Sequence, residues 1–449
     1  MQIGFASANI TPSFGMEVPG GMSKRFTKGV HDELQADAAV FDDGEQAVAL
    51  VGVDCLSIKH SVVEAAREII VEATGIAPEN VMCGASHTHA GGPASDIFDS
   101  KSDRSYLHHM SRQIATAVID ANRLKQDLRV GVGIGEVTGV AHPRRWHMKD
   151  GTQRSHPGAD AESMDRPHGE IDEACNVIGA ADSEGMPRGC VVNFTCHGTT
   201  GWGAGYASAD WIGYFRRCLK GVFGDDFGVV FLNGACGDIT QVDNTADADY
   251  VQSGPIAGRR VGGSVAGETL RQLVQMRFVE SMPVGGRRVV VDLEPRRPTE
   301  EQLQWAREHV GGSEVNANRW GTDGIWAREW LNLARINEEE PVVPCELQAI
   351  RIGDSAFASN PGEFFCSLGM DIKRGSVFTN TFIVELANGS IGYVPTDDAY
   401  DFGYESQMAP SSKLAPGAGG RIVEETIELL RELKDADDAR QTAEELTGQ

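Results

Sequence analysis

Two histidines spaced by one residue, His87 and His89, follow the apolar stretch Val81-Met82-Cys83-Gly84-Ala85, which reads as a buried strand. Alternate residues of a strand leave on the same face, so the two imidazoles would share a side. Neutral near pH 7, they suit a metal ligand with a proton-shuttling neighbour. His-x-His alone is explained equally well by hydrogen-bonded surface histidines. His197 leaves a second apolar strand, Val191-Val192-Asn193-Phe194-Thr195-Cys196, where a lone histidine is more often a satisfied core residue. The stretch Asn233-Gly234-Ala235-Cys236-Gly237-Asp238-Ile239-Thr240 closes a third with small residues ahead of a carboxylate. Small residues let the backbone approach a ligand shell closely, and Asp238 would either orient a histidine from behind or cap a helix. Pro361-Gly362-Glu363 sets a carboxylate before an apolar helical turn, as a metal ligand or as charge complementing a helix N-terminus. His142-Pro143-Arg144-Arg145-Trp146-His147 gathers two guanidiniums beside an aromatic. That cluster suits an anionic or carbonyl group, a developing oxyanion, or a surface ion-pair patch. There is no G-x-S-x-G elbow, P-loop, H-E-x-x-H or strand-linked G-x-G-x-x-G, so serine hydrolases, nucleotide hydrolases and Rossmann dehydrogenases recede.

The elements that must position these side chains recur three times. Residues 34–54 are two apolar runs around Asp42-Asp43-Gly44, the pattern of a β-hairpin. An amphipathic helix follows at about 58–74, with Val62, Ala65, Ile69 and Ile70 on one face, and then a strand at 80–86. A second copy covers 175–196, turns at Asp182-Ser183-Glu184-Gly185, and continues through a helix near 208–220 to a strand at 228–233. A third covers 345–360, turns at Gly353-Asp354, and continues through a short helix to a strand at 381–387 and on to Gly392-Tyr393. Ligands in open α/β sheets bind beyond the carboxyl ends of strands. Modules that deliver His87, His197, Glu363 and Tyr393 from such ends therefore predict one shared site, against the plain alternative that most strand ends are polar. Other helices are expected near 101–124, 251–277, 299–310 and 320–336, with a strand near 128–140. Residues 142–172 read as a long, structureless polar loop, of the kind that covers a site or stays disordered. An amphipathic helix at 420–434 and a frayed polar tail at 435–449 end the chain. The expected fold class is α/β, with mixed sheets of hairpins and crossover strands covered by helices, in one catalytic domain over 1–434.

Composition narrows the function classes. Lys plus Arg number 40 against 65 Asp plus Glu, a formal charge of -25, which argues against nucleic acid as a partner. No run of about 18 apolar residues exists, and no basic, apolar leader opens the chain, so the expectation is a cytoplasmic protein that does not span a membrane. Nine cysteines are scattered without C-x-x-C spacing, the pattern of reduced buried thiols and not of a zinc knuckle or disulfide frame.

Taken in order, the motifs resemble the neutral/alkaline non-lysosomal ceramidase family, specifically its N-terminal catalytic domain. Ser86-His87-Thr88-His89-Ala90-Gly91 looks like its histidine motif, and Gly237-Asp238-Ile239-Thr240 like its Gly-Asp-hydrophobic-Ser loop. Pro361-Gly362-Glu363-Phe364 and Gly392-Tyr393-Val394, with Tyr404-Glu405, look like its later ligand motifs. The likeness runs from Gly4-Phe5-Ala6 to Pro416-Gly417-Ala418-Gly419. It implies a single zinc ion held by His87, His197, Glu363 and Tyr393, with His89 as general acid/base. Arg144 and Tyr404 would steady the carbonyl oxygen, with Arg145 the alternative arginine, and Asp238 and Thr240 would belong to the site through the loop. Departures accompany it: Thr240 stands where the family has serine, Gln241-Val242 replaces Pro-Asn, and the family's secretion signal and C-terminal immunoglobulin-like domain are not expected here. A strongly anionic, cytoplasmic chain is poorly suited to a lipid at a membrane face. The expected activity is thus a zinc-dependent amidohydrolase acting on a small soluble N-acyl compound, without stable membrane association. A zinc-dependent esterase or lactonase and a catalytically silent binding protein are the alternatives, and oligomeric state is not legible.

Overall fold

Apolar strands joined by tight turns at Gly44, Gly185 and Gly353, all with positive φ, fold into one unit that occurs three times. The computed structural model describes residues 1–158, 161–201, 205–247, 249–314, 321–400 and 402–447. In the first unit β1 (Gln2–Asn9) pairs antiparallel with β2 (Gln35–Asp42), and β2 antiparallel with β3 (Ala47–Val53). After the crossover helix α1 (His60–Thr74), β4 (Val81–Ala85) lies parallel to β3. Helix α1 buries Val62, Val63, Ala66 and Ile70 and stops at Gly75 in the left-handed region. Helix α2 (Arg104–Arg123), whose N-cap Asp103 accepts from the Tyr106 amide, packs on α1 and the sheet.

The second unit repeats this order. Strand β5 (Arg129–Glu136) pairs with β6 (Ala174–Ala181), β6 with β7 (Pro187–Phe194), and, after helix α3 (Asp210–Phe223), β8 (Gly228–Asn233) lies parallel to β7. Helix α4 (Gly254–Gln275) packs on α3. In the third unit β9 (Val284–Leu293) is followed by helices α5 (Glu300–His309) and α6 (Asp323–Glu339). Then come β10 (Val343–Ile352), β11 (Ser355–Ser359), a short strand β12 (Gly362–Phe364), helix α7 (Cys366–Gly375), β13 (Asn380–Val384) and a second short strand β14 (Gly392–Val394). Strands β9 to β11 are antiparallel in turn and β13 is parallel to β11, while β14 lies parallel to β12. The α/β class, the three hairpin, helix and strand modules, and their order match the expectation from sequence.

The three sheets meet at one core that takes Ile3, Phe41 and Met82 from the first, Ile178, Val191 and Val230 from the second, and Ile350, Phe357 and Phe382 from the third. Gly52 in β3 shows how close the approach is, because a Cβ there would overlap the Phe231 carbonyl of β8. Beyond the core the ends of the crossover strands are laced together: Ala85 N–H donates to Leu386 O (3.2 Å), Glu385 N–H to Asn233 O (3.1 Å), and Asn388 N–H to Cys83 O (2.9 Å). Buried amides reinforce the seam, with Asn193 donating to the carbonyls of both Leu232 and Ile383. Each unit thereby delivers its strand ends to one place.

Two expectations need correction. The stretch 142–172, of which residues 159 and 160 lie outside the described ones, is not structureless: Gln153–Ser155, Arg145–Met148 and Met164–Pro167 form a three-stranded antiparallel sheet, and His142–Pro143 bridges to Ile239–Thr240. These strands are two to four residues long, too short for a periodic signal. The last helix, α8, spans Ala418–Thr447 and so runs through most of the region read as a frayed tail, whose last two residues lie outside the described ones, as does residue 320 at the expected start of α6. All nine cysteines are free and eight are buried. Among the described residues no helix is long and apolar enough to cross a membrane.

Candidate metal centre

The strand carrying the His-x-His pair ends at Ala85, two residues early for strand geometry to set the imidazoles. Instead His87 takes φ 61°, a left-handed conformation that costs a non-glycine residue about 1 kcal/mol or more. This kink turns its ring inward, where Nδ1 lies 2.7 Å from Leu56 O. On the neighbouring unit His197 places Nδ1 2.6 Å from Cys236 O, and the Nδ1 of His89 lies 2.7 Å from Gly20 O. A carbonyl only accepts, so each Nδ1 carries the proton and each Nε2 presents a lone pair. Those lone pairs converge: His87 Nε2 is 2.9 Å from His197 Nε2 and 3.3 Å from His89 Nε2. Glu363, delivered by β12, brings Oε2 to 3.4 Å from His87 Nε2 and 3.8 Å from His197 Nε2, and this buried oxygen has no hydrogen-bond partner.

Four electron-rich atoms in one buried pocket repel one another unless positive charge sits among them. The Glu363 carboxylate bears most directly on His87. Burial pulls that imidazole down, but the Glu363 carboxylate outweighs burial and raises it. Burial drives His197 and His89 well below the ordinary imidazole range, helped by the Arg144 charge at His197 and by the His87 charge at His89. The ring nitrogens of His87, His89 and His197 all lie within 4.8 Å of one another, a group able to hold a metal ion. Imidazole nitrogens with one carboxylate are a donor set that suits zinc.

Arg144 closes one side of the pocket. Its Nη1 is 3.3 Å from His197 Nε2, its Nη2 donates to Tyr393 OH (3.0 Å) and to Gly237 O, and its Nε is 3.0 Å from Glu405 Oε1. Tyr393 OH is in turn 3.3 Å from Tyr404 OH, and the guanidinium lies over both rings, 5.5 and 5.2 Å from their centroids. Burial raises the Tyr404 phenol to about 12 despite the pull of Arg144. Tyr393 is also raised, burial again outweighing the guanidinium.

Of the residues singled out from sequence, His87, His89, His197, Glu363, Arg144, Tyr393 and Tyr404 are brought together. Arg145 points away into a buried pair with Glu405 (2.9 Å), so it is Arg144 that reaches the imidazoles. Asp238 does not orient a histidine, because the Nδ1 it would have engaged is taken by Cys236 O. Its Oδ1 instead accepts from the Cys366 amide (2.8 Å), the first of α7, whose N-cap residue is Phe365, and burial raises the carboxyl to about 7. Thr240 lies in the bridge to His142 with its hydroxyl donating to Gln241 Oε1 (3.1 Å), outside the imidazole cluster. Sequence reasoning missed Glu385, whose carboxylate accepts from the amides of Cys236 (2.9 Å) and Phe364 (3.0 Å) and so ties the loop behind His197 to the strand of Glu363. A carboxylate directly after the apolar run Thr381-Phe382-Ile383-Val384 was the available signal.

Gly237 shows why that loop is made of small residues, since a Cβ would lie 2.5 Å from the Glu363 backbone oxygen. Gly237→Ala is expected to push β12 away, costing about 1–3 kcal/mol of stability and weakening metal binding. Denaturant melts and metal titration check this. Wild-type values for both would mean that the approach is not tight.

No protein-family model matches the chain, and no curated protein matches it. Solved structures do, among them two ceramidases. The neutral ceramidase of Pseudomonas aeruginosa superposes with a TM-score of 0.72 at 19% identity, over 96% of this chain and 74% of that one. A ceramidase complexed with C2 gives the same score and coverage at 18% identity. Over nearly its whole length, the chain therefore has a ceramidase-like α/β fold.

Proposed function

We propose that the protein is a zinc-dependent hydrolase of amide bonds whose substrate is a small soluble N-acyl compound. The observation that carries this reading is the convergence of the His87 and His197 Nε2 lone pairs on the unpartnered Glu363 Oε2, at the point where three strand ends meet. His87, His197 and Glu363 would hold the ion, which when bound would acidify a water and polarise a carbonyl. Carbonyl acceptors behind His87 and His197 fix both rings and their tautomers. His89, held by Gly20 O and kept neutral by burial, is placed to take the proton from the attacking water and return it to the leaving amine. Arg144, fixed by Glu405, presents Nη1 and Nη2 into the pocket, where with Tyr404 it stabilises the oxygen that gains charge. Tyr393 is the remaining candidate ligand, its hydroxyl linked to the cluster through Arg144. The net change is addition of water across C–N, giving a carboxylate and an ammonium.

The test is metal analysis of the folded chain together with a panel of N-acyl amines, simple esters and lactones. At least roughly half an equivalent of tightly held zinc, and amide cleavage lost on chelation and restored by zinc, are expected. Ester or lactone cleavage with no amide cleavage would change the bond assigned. A folded chain that binds little zinc would be a silent scaffold.

A further inference from the structure

A cavity of about 360 Å³ opens beside the cluster and is bordered there by Glu363 and by Leu56, whose carbonyl holds His87. This is the lower end of the range for small-molecule pockets. One wall is apolar, from Ile97, Phe98 and Ile336, but the rest is rich in charge. Lys59 is spoken for by Asp96 and Ser102, and Arg335 by Glu339 and Asn332. Lys413 and Lys101 are left, and among the described residues neither ammonium has an ion pair at contact distance. Lys101 feels Glu17 and Glu329, and Lys413 feels Glu340, only at longer range. Of the lining acids, Asp96 is paired with Lys59 and Glu363 faces the imidazoles. Within a chain of charge -25, this partly apolar, half-open cavity has two lysines without a contact ion pair among the described residues, Lys413 half-buried and Lys101 at its exposed edge.

We infer that this cavity takes the substrate and that Lys413, with Lys101, receives a carboxylate on it, so that the substrate class is N-acyl amino acids and similar N-acyl carboxylates. The inference rests on the hydrolase reading and specifies its substrate. The half-buried Lys413 ammonium binds a carboxylate more strongly than an exposed one such as Lys101 does, because the surroundings screen less. The apolar wall would hold the side chain or the short acyl group.

Binding to the chelated, metal-free protein separates recognition from turnover. By calorimetry, N-acetyl-leucine is expected to bind about 10- to 100-fold more tightly than its neutral N-methylamide, the difference a charge-assisted hydrogen bond makes. Lys413→Met should bring the two to near parity. Should that variant misfold, Lys101→Gln should narrow the gap, and added salt should weaken the acid but not the amide. Equal or tighter binding of the neutral compound by wild type, or a preference untouched by either variant and by salt, overturns the assignment. If zinc-loaded protein cleaves neutral N-acyl amines while the carboxylate gains nothing, the pocket assignment fails and the hydrolase stands. If the carboxylate binds through Lys413 and no amide is cleaved, the hydrolase reading fails instead.

Discussion

His87→Asn is expected to purify folded, to lose most of its zinc, and to lose activity by more than the about 10- to 100-fold that mutation of outer ligand partners costs. Asparagine is a better probe than alanine because it tolerates the left-handed backbone that His87 adopts at φ 61°, so lost activity cannot be charged to a rebuilt loop. The physical case is the crowding of lone pairs. With both Nδ1 atoms committed to carbonyls, the 2.9 Å approach of the two Nε2 atoms and the bare Glu363 oxygen form a donor cluster that a bound cation would stabilise. His89→Ala is the contrasting variant: it should keep its zinc and still lose about 10²- to 10⁴-fold in kcat/KM, the usual worth of a positioned acid/base. Metal content read beside kcat/KM separates the two roles. A His87→Asn protein with full zinc and wild-type turnover would remove the metal centre from this pocket, and a His89→Ala protein with full turnover would remove the proton shuttle.

The parts of this architecture that were legible in the sequence are those with a period or a local rule. Alternating apolar runs around Asp43-Gly44, Glu184-Gly185 and Gly353-Asp354 gave the three hairpins, because a turn requiring positive φ admits few residues. The helical crossovers followed from their apolar faces. Strand ends then pointed to His87, His197, Glu363 and Tyr393, since strand direction decides where a loop emerges. What was not legible depends on contacts far apart in sequence. The backbone kink at His87 is imposed by packing against residue 56 and by the Ala85 to Leu386 seam, neither of which leaves a local pattern. The role of Asp238 stayed open between two options that look alike locally, because its partner, the Cys366 amide, lies 128 residues away. The small sheet within 142–172 is held by its anchorage to Glu405 through Arg145 and Ser155, a contact spanning some 250 residues.

Glu405→Gln is expected to destabilise the protein by about 3–5 kcal/mol, the cost of removing one partner from a fully buried ion pair. Glu405 has no exposure, and its two oxygens serve different arginines: Oε1 faces Arg144 Nε at 3.0 Å, and Oε2 takes Arg145 Nη1 at 2.9 Å together with the Ser155 hydroxyl. The amide keeps the shape but not the charge, leaving two guanidiniums side by side in a low-dielectric interior. Arg145 retains the carbonyls of Phe402 and Ala399 and the Gln153 side chain, whereas Arg144 loses its one paired carboxylate among the described residues and is left against Gly237 O and Tyr393. The loss should therefore show in catalysis as well as stability, as a fall in kcat with metal content preserved, because the displaced group stabilises charge and does not hold the ion. The pH dependence has a definite sign. Burial raises the Glu405 carboxyl, but Arg145 and Arg144 outweigh it and set the folded value below the ordinary carboxylate range. Its stabilisation is complete above that ordinary range and disappears as pH falls through the lowered folded value. Wild type should accordingly lose stability on acidification more steeply than Glu405→Gln, the two converging at low pH. Denaturant midpoints measured across pH on chelated protein test this, and a variant within 1 kcal/mol of wild type at neutral pH, or curves that stay parallel into acid, would show that the carboxylate is not what holds the arginines.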